Sequence, residues 1–345
     1  MESVGGKFPK GQFTMDKIGV FVGEEIWTFF SDIYKYLDTY YCTEVFKNKV
    51  YNIPLFYGRL NRWSFRNRID SLIRRSDLCF FEWASEYLAI ASSKPRSSKI
   101  ITRLHSFELF EWAPKINWAH VDRIIFVSNA MKQMFLDLYP QYENKTRVIY
   151  NGISVERFNS LKSKSFNFNI GMLGRISPIK RIYEVVLMLY TLINQGYKAN
   201  LFIAGEPDDD YRYWVSINRL VSKLGLENAV FWDGYVIDTP SWLHKIDIYI
   251  SNSYWEGQQV ALIEAMASGC YCLSHKWAGA EEMLPTEYLF VTKSELIQKI
   301  ADYSELSEIK KRSLQSRFRA IAWEKFDIKQ TQKKIHQTIL NTLAN

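Results

Sequence analysis

Residues 169–204 read NIGMLGRISPIKRIYEVVLMLYTLINQGYKANLFIA, and this stretch decides the fold. Asn169 to Leu173 is an apolar run with the length of a buried strand, and Gly174 ends it. Ser177 can then cap a helix and Pro178 suits its first position. Ile182, Val185, Val186, Leu189, Leu192 and Ile193 recur at three- and four-residue intervals, the stripe of a helix that must cover a sheet. Asn200 to Ala204 is a second strand-like run, so the whole reads as a βαβ unit with parallel strands.

The same alternation extends in both directions. Strands are expected at Lys17 to Val22, Asp77 to Phe81, Lys99 to Leu104, Arg123 to Val127 and Arg147 to Tyr150. Beyond Ala204 they are expected at Ala229 to Trp232, Asp247 to Ser251, Cys270 to Ser274 and Tyr288 to Val291, with helices between them. At 345 residues and 40.7 kDa the chain is too long for one ordinary core. The expectation is α/β: two doubly wound, Rossmann-like domains facing a cleft, one spanning 1–160 and the other 169–304. The polar run Ser160-Leu161-Lys162-Ser163-Lys164-Ser165 marks a linker over 161–168, and 305–345 reads as a basic helical tail reaching back across the junction.

Composition excludes other classes. With 47% hydrophobic and 23% charged residues the chain is not disordered, and no apolar stretch approaches the roughly 20 residues of a membrane span. Met1 to Lys17 lacks the basic-then-apolar order of a secretory signal, and Cys42, Cys79, Cys270 and Cys272 are too scattered for a disulfide framework, so a reducing cytoplasm is expected. Cys270-x-Cys272 has no second pair nearby, and Asp208-Asp209-Asp210 follows Gly205-Glu206-Pro207 in a polar loop; no metal is expected at either. The net charge of +7 favours an anionic partner. Arg59, Arg62, Arg66, Arg68, Arg74 and Arg75 crowd one stretch with Trp63, Phe65, Leu72 and Ile73 interleaved, the composition of a helix that lies on anionic lipid at the inner face of a membrane. No zinc-finger, RRM or KH signature is present, and nucleic acid is not expected as a partner.

Chemistry is concentrated in the second half, just after strands. Arg175, Lys180 and Arg181 surround an expected helix N-terminus, where cations oppose the helix dipole unless an anion is bound. A diphosphate would fit. Glu264 lies in the apolar run Val260 to Ala267 ahead of Gly269, in a short helix expected to start near Gln258, and Glu256 precedes it by eight positions, about 12 Å along a helix axis. A carboxylate in such a run either faces solvent or holds a polar ligand. Neither the P-loop order nor Gly-x-Gly-x-x-Gly follows any strand. Glu82 and Trp83, after the Asp77 to Phe81 strand, would suit an acceptor sugar, hydroxyls on the acid and ring faces on the indole; the alternative is that Glu82 pairs with a nearby arginine.

Gly174-Arg175-x4-Lys180 and Glu256-Gly257-x6-Glu264-Ala265-Met266-Ala267-x-Gly269 resemble the donor-site motifs of the retaining glycosyltransferases of family four, two-domain GT-B enzymes. Tyr150-Asn151-Gly152-Ile153 and the run from Val230 to Gly234 are also in family-like places, and His105 in Arg103-Leu104-His105-Ser106 matches the histidine that faces the donor sugar. The resemblance implies that Arg175 and Lys180 neutralise the donor diphosphate, that Glu264 holds ribose hydroxyls, that Glu256 lies beside the transferred sugar, and that backbone N–H groups of Gly257, Gln258, Gln259 and Val260 meet the sugar or its phosphate. Gly23 is all that remains of the usual glycine-rich first loop, in Val22-Gly23-Glu24-Glu25-Ile26, and Gln258-Gln259 replaces the more common small or aromatic residues, which is expected to alter how sugar hydroxyls are held. The implied activity is retaining transfer of a sugar from a nucleotide diphosphate to a hydroxyl of a carbohydrate or lipid-linked acceptor, with no cofactor and no metal. The alternatives are a membrane-recruiting binding module or inactive subunit, and an epimerase or phosphorylase on the same fold.

Overall fold

The computed structural model describes residues 15–23, 27, 30–49, 57–158 and 165–345. The first 14 residues, Glu24 to Ile26 of the first loop, and positions 159–164, which include 161–164 of the expected linker, lie outside the described residues. Among the described residues, β1 (Lys17–Phe21), β2 (Cys42–Val45), β3 (Leu78–Phe81), β4 (Lys99–Leu104), β5 (Arg123–Phe126) and β6 (Thr146–Val148) form one sheet in the order β2-β1-β3-β4-β5-β6. A second sheet takes β7 (Asn169–Leu173), β8 (Asn200–Ala204), β9 (Val230–Gly234), β10 (Ile248–Ser251), β11 (Tyr271–His275) and β12 (Leu289–Phe290) in the order β12-β11-β10-β7-β8-β9. Its strands are parallel throughout. The doubly wound α/β architecture expected from the sequence is the one observed.

The compact units are Met1–Ile125 with Tyr142–Thr146 and Ile335–Asn345 (unit 1), and Phe126–Gln141 with Arg147–Lys334 (unit 2). This division differs from a boundary at residue 160, because the helix Asn129–Leu138 and the segment from Arg147 group with the second sheet. Glu282 shows how: its carboxylate accepts the backbone N–H groups of Asn129 and Ala130, each at 2.8 Å, at the N-terminus of that helix. The final helix, Ile328–Leu343, begins in unit 2 and its last residues group with unit 1.

In unit 2 the helix Ile182–Asn194 buries Ile182, Val185, Val186, Met188, Leu189 and Leu192, at roughly 1.5–3 kcal/mol each, so its expected stripe is the core face. Strand β2 was not read from the sequence. Its alternating exposed and half-buried residues, Cys-Thr-Glu-Val, form a sheet edge with no apolar run to betray it.

Strand order fixes where unit 2 can hold a ligand. It reverses between β7 and β10, so the residues just past Leu173 and Ser251 face the same crevice at the carboxyl ends. Three glycines close that edge. Gly174 N–H donates to Ala204 O at 2.9 Å, Gly205 N–H to Gly234 O at 2.7 Å, and a Cβ on Gly205 would come within 2.0 Å of the Gly174 carbonyl oxygen. Gly205 also has φ +141°, where L side chains are strained. Gly205→Ala is therefore expected to destabilise unit 2 by more than about 2 kcal/mol, read as a lower urea midpoint; an unchanged midpoint would contradict the close approach.

Candidate active site

Past the glycine edge, Ile176 N–H donates to Glu206 O at 2.8 Å and Asp208 N–H to Ile176 O at 3.1 Å, pinning the loop that carries Arg175 to the next one. The Arg175 side chain is 70% exposed and reaches Asp208 at 3.5 Å, so its guanidinium is weakly held. Pro178–Lys180 is a single 3-10 turn rather than the start of the long helix, which corrects the expected cap. Ser177 makes no side-chain cap bond, and Arg181, left-handed at φ 52°, breaks the chain before the helix begins at Ile182. Lys180 thus sits on its own turn. Tyr254 N–H donates to Ile179 O at 3.2 Å and Asn252 Nδ2 to Arg181 O at 3.0 Å, tying this turn to the loop after β10.

That pairing brings together two residues the sequence placed 76 positions apart: Lys180 Nζ lies 2.5 Å from Glu256 Oε1, with 20% and 15% of the two side chains exposed. Gly174, Arg175, Lys180, Asn252, Ser253 and Gln259 line a pocket beside the pair. The Ser253 hydroxyl and the Gln259 Oε1 are buried there without partners among the described residues. Buried orphans of this kind cost about 1–3 kcal/mol each unless a ligand or water meets them. Ser253 and Asn252 were missed in the sequence; their only signal was position, just past a strand at the crossover point.

The helix expected near Gln258 spans Val260–Ala267, with Gln259 at its N-cap making no side-chain cap bond and Gly269 beyond its end at φ +76°. Gln258 corrects an expectation. Its Oε1 accepts from Asn151 N–H at 2.6 Å and its Nε2 donates to Asn151 O at 3.2 Å, so the side chain clamps the family-like Tyr150-Asn151-Gly152 segment instead of offering an amide to sugar hydroxyls. Glu264 is partly buried on the same helix, and its carboxylate has no hydrogen bond or ion pair among the described residues. Burial pushes its pKa up to about 7, with Arg157 opposing.

In unit 1, Glu82 does not open toward an acceptor. It is fully buried and bound to Arg103 Nη1 at 2.6 Å and to His105 Nε2 at 3.1 Å, the pairing alternative rather than the sugar-binding one, because strand register sets residue 82 against residue 103. Trp83, half-buried, stacks on His105 with centroids 4.1 Å apart. Among the described residues, nothing lies within 4 Å of a Cβ built on Gly23. Asp210 caps the helix Tyr211–Lys223 and pairs with Arg212, and no group of three or more His, Cys, Asp or Glu among the described residues could hold a metal ion.

Comparison with known proteins bears on the fold of both halves. A family model for group 1 glycosyl transferases matches residues 167–305, and one for Glycosyltransferase Family 4 matches residues 29–157. The chain is 27% identical over 183 residues to protein CapJ of Staphylococcus aureus, covering 51% of this chain and 45% of CapJ. It is 25% identical over 218 residues to an Escherichia coli UDP-Gal:alpha-D-GlcNAc-diphosphoundecaprenol alpha-1,3-galactosyltransferase, covering 58% of this chain and 52% of that protein. The chain thus spans about half the length of these relatives. The crystal structure of Anabaena HepE with UDP superposes with a TM-score of 0.76 at 19% identity, over 95% of this chain and 100% of that one. Sucrose-phosphate synthase of Thermosynechococcus elongatus gives 0.74 at 14% identity, over 95% and 99%. The fold is GT-B, and each half of the chain matches a glycosyltransferase family model, the first half that of family four.

Glu264 makes stability depend on pH in a direction that can be checked. Its folded pKa lies above the unfolded 4.5, so its contribution is complete below about 4.5, is lost as pH rises to about 7, and then levels off at a cost of order 3 kcal/mol. Glu264→Gln should escape that loss, melting higher than wild type at pH 8 and no higher at pH 4. Parallel melting curves for the two proteins across this range would contradict it.

Proposed function

We propose that the chain transfers a sugar from a uridine diphosphate donor to a hydroxyl of a carbohydrate or lipid-linked acceptor, with retention at the anomeric carbon and without a metal. The observation that carries this reading is the Lys180–Glu256 pair beside Arg175 and the uncapped helix N-terminus at Gln259, over buried polar atoms that lack partners. The UDP complexes of HepE and the donor named for the E. coli relative support uridine as the base.

In this mechanism the donor diphosphate takes Lys180 from Glu256 and meets Arg175 and the N–H groups of Gly257 to Val260, while Glu264 holds ribose hydroxyls. Departure of UDP develops charge on its phosphate oxygens, where these cations are stronger partners than in the ground state. The acceptor attacks the face from which UDP leaves, and the departing phosphate takes its proton. Glu256, released from Lys180, steadies positive charge on the sugar. Phosphorylase and epimerase readings differ in product, which analysis with donor alone distinguishes.

A membrane role draws on a separate observation. In the helix Tyr57–Arg74, Arg59, Arg62, Trp63 and Arg66 are exposed at helical spacing, Trp63 at 65%, whereas Ile69, Leu72 and Ile73 are buried and Arg75 is tied to Glu44. This face suits anionic lipid, which would bring the enzyme to a lipid-linked acceptor. No described helix is long and apolar enough to cross a membrane. Charge reversal at Arg59, Arg62 and Arg66 should abolish flotation with phosphatidylglycerol vesicles; undiminished flotation would remove this role.

For the donor site, UDP should raise the melting temperature equally with and without EDTA. Lys180→Ala should cut turnover ~100-fold or more while the protein stays folded. Glu256→Gln, which frees Lys180 and removes a competing anion, should bind UDP more tightly yet transfer more slowly. Wild-type turnover by folded Lys180→Ala protein would sink the assignment.

A further inference from the structure

The least exposed ion pair in unit 1 is one the mechanism above does not use. Phe81 lies opposite Thr102 in the β3–β4 register, which sets Glu82 beside Arg103, and His105 follows on the same side two residues later. Arg103 Nη1 donates to Glu82 Oε1 at 2.6 Å with both side chains 0% exposed. Replacing such a pair by apolar residues is often neutral or stabilising, so stability alone does not account for it.

The pair ends on an imidazole. His105 Nε2 lies 3.1 Å from Glu82 Oε1 and 3.1 Å from the Glu82 carbonyl oxygen. Both are acceptors, so Nε2 carries a proton, and in the neutral ring Nδ1 is left as an acceptor. Nδ1 makes no hydrogen bond to a described residue. The ring plane is set by Trp83, stacked at 4.1 Å and 29° and backed by Phe107 at 5.8 Å. The backbone is set by Glu108, buried, which accepts the N–H groups of His105 at 3.1 Å and Ser106 at 2.8 Å.

We propose that Glu82 and Arg103 are positioning residues that lock His105 in the Nε2–H tautomer, presenting Nδ1 as an acceptor to a substrate hydroxyl at the carboxyl end of the unit 1 sheet. Arg103 holds the Glu82 carboxylate in the place from which it orients the ring. This rests on the transfer reading for its substrate, but not for its tautomer.

The test uses the full chain and the Glu82→Met/Arg103→Met double variant, which keeps volume and removes both charges together. It should melt at or above the wild-type temperature. Nitrogen-15 NMR of His105 should show a protonated Nε2 and a bare Nδ1 in the wild type, and a raised population of the Nδ1–H tautomer in the variant, where only the residue 82 carbonyl remains. Turnover should fall at least tenfold with KM for the donor within about twofold. In a His105→Ala background the double substitution should add no further loss, because it acts through the ring. A protonated Nδ1 in the wild type, wild-type turnover in the double variant, or a loss that persists without His105 would each overturn the proposal. Absence of transfer by the wild type with UDP-sugars would sink the transfer reading instead, and the NMR result would still uphold or overturn the tautomer.

Discussion

The site in unit 2 depends on a steric constraint, the approach of Gly205 to the Gly174 carbonyl, which leaves no room for a side chain. It lets the loops after β7 and β8 run side by side through Ile176 and Pro207, beyond the last regular ladder bonds. Beyond that edge the chain after Arg175 turns into the 3-10 segment that carries Lys180. The charge of Lys180 on this turn is met by Glu256.

Several unmet groups meet at this place. Some helices are capped by side chains: Thr292 and Glu295 form a reciprocal capping box, and Ser128 and Ser307 accept from the N-termini they precede, whereas Ile182–Asn194 and Glu86–Ser92 have no such cap. The helix at Val260 has no side-chain cap, Glu264 sits unpaired within it, and Ser253 and Gln259 keep buried polar atoms without partners. Local rules are broken together where a polar ligand would repair them, which argues for a site more strongly than any one of these residues does.

What was legible in the sequence followed from periodicity and chain punctuation. Strands β4, β7 and β8 fall at the expected residues, and the stripe of Ile182–Asn194 is the buried one, because apolar spacing is a property of the chain itself. Arg175 and Lys180 stood out as donor-site candidates because they follow a strand. Less was legible wherever a side chain's partner is distant: nothing in the sequence around Gln258 points to Asn151, 107 positions away, which its side chain holds. Glu82 reads equally as a sugar-binding acid or an arginine's partner until strand register sets it against Arg103. The break at Arg181 was hidden for another reason, since Ser-Pro promises a helix start equally well for a 3-10 turn.

The two ion pairs differ in a way that assigns them different work. Lys180 and Glu256 keep 20% and 15% of their side chains exposed, so water and ligand can reach either partner, and a diphosphate can replace the carboxylate at modest desolvation cost. Arg103 and Glu82 have no exposure at all, and separating them would strand a buried charge at a cost of roughly 3–5 kcal/mol. An exposed pair can exchange partners, while a sealed one can only hold geometry. The pair in unit 2 therefore suits a residue that must let go of its neighbour to grip a substrate, and the pair in unit 1 suits one that must never move.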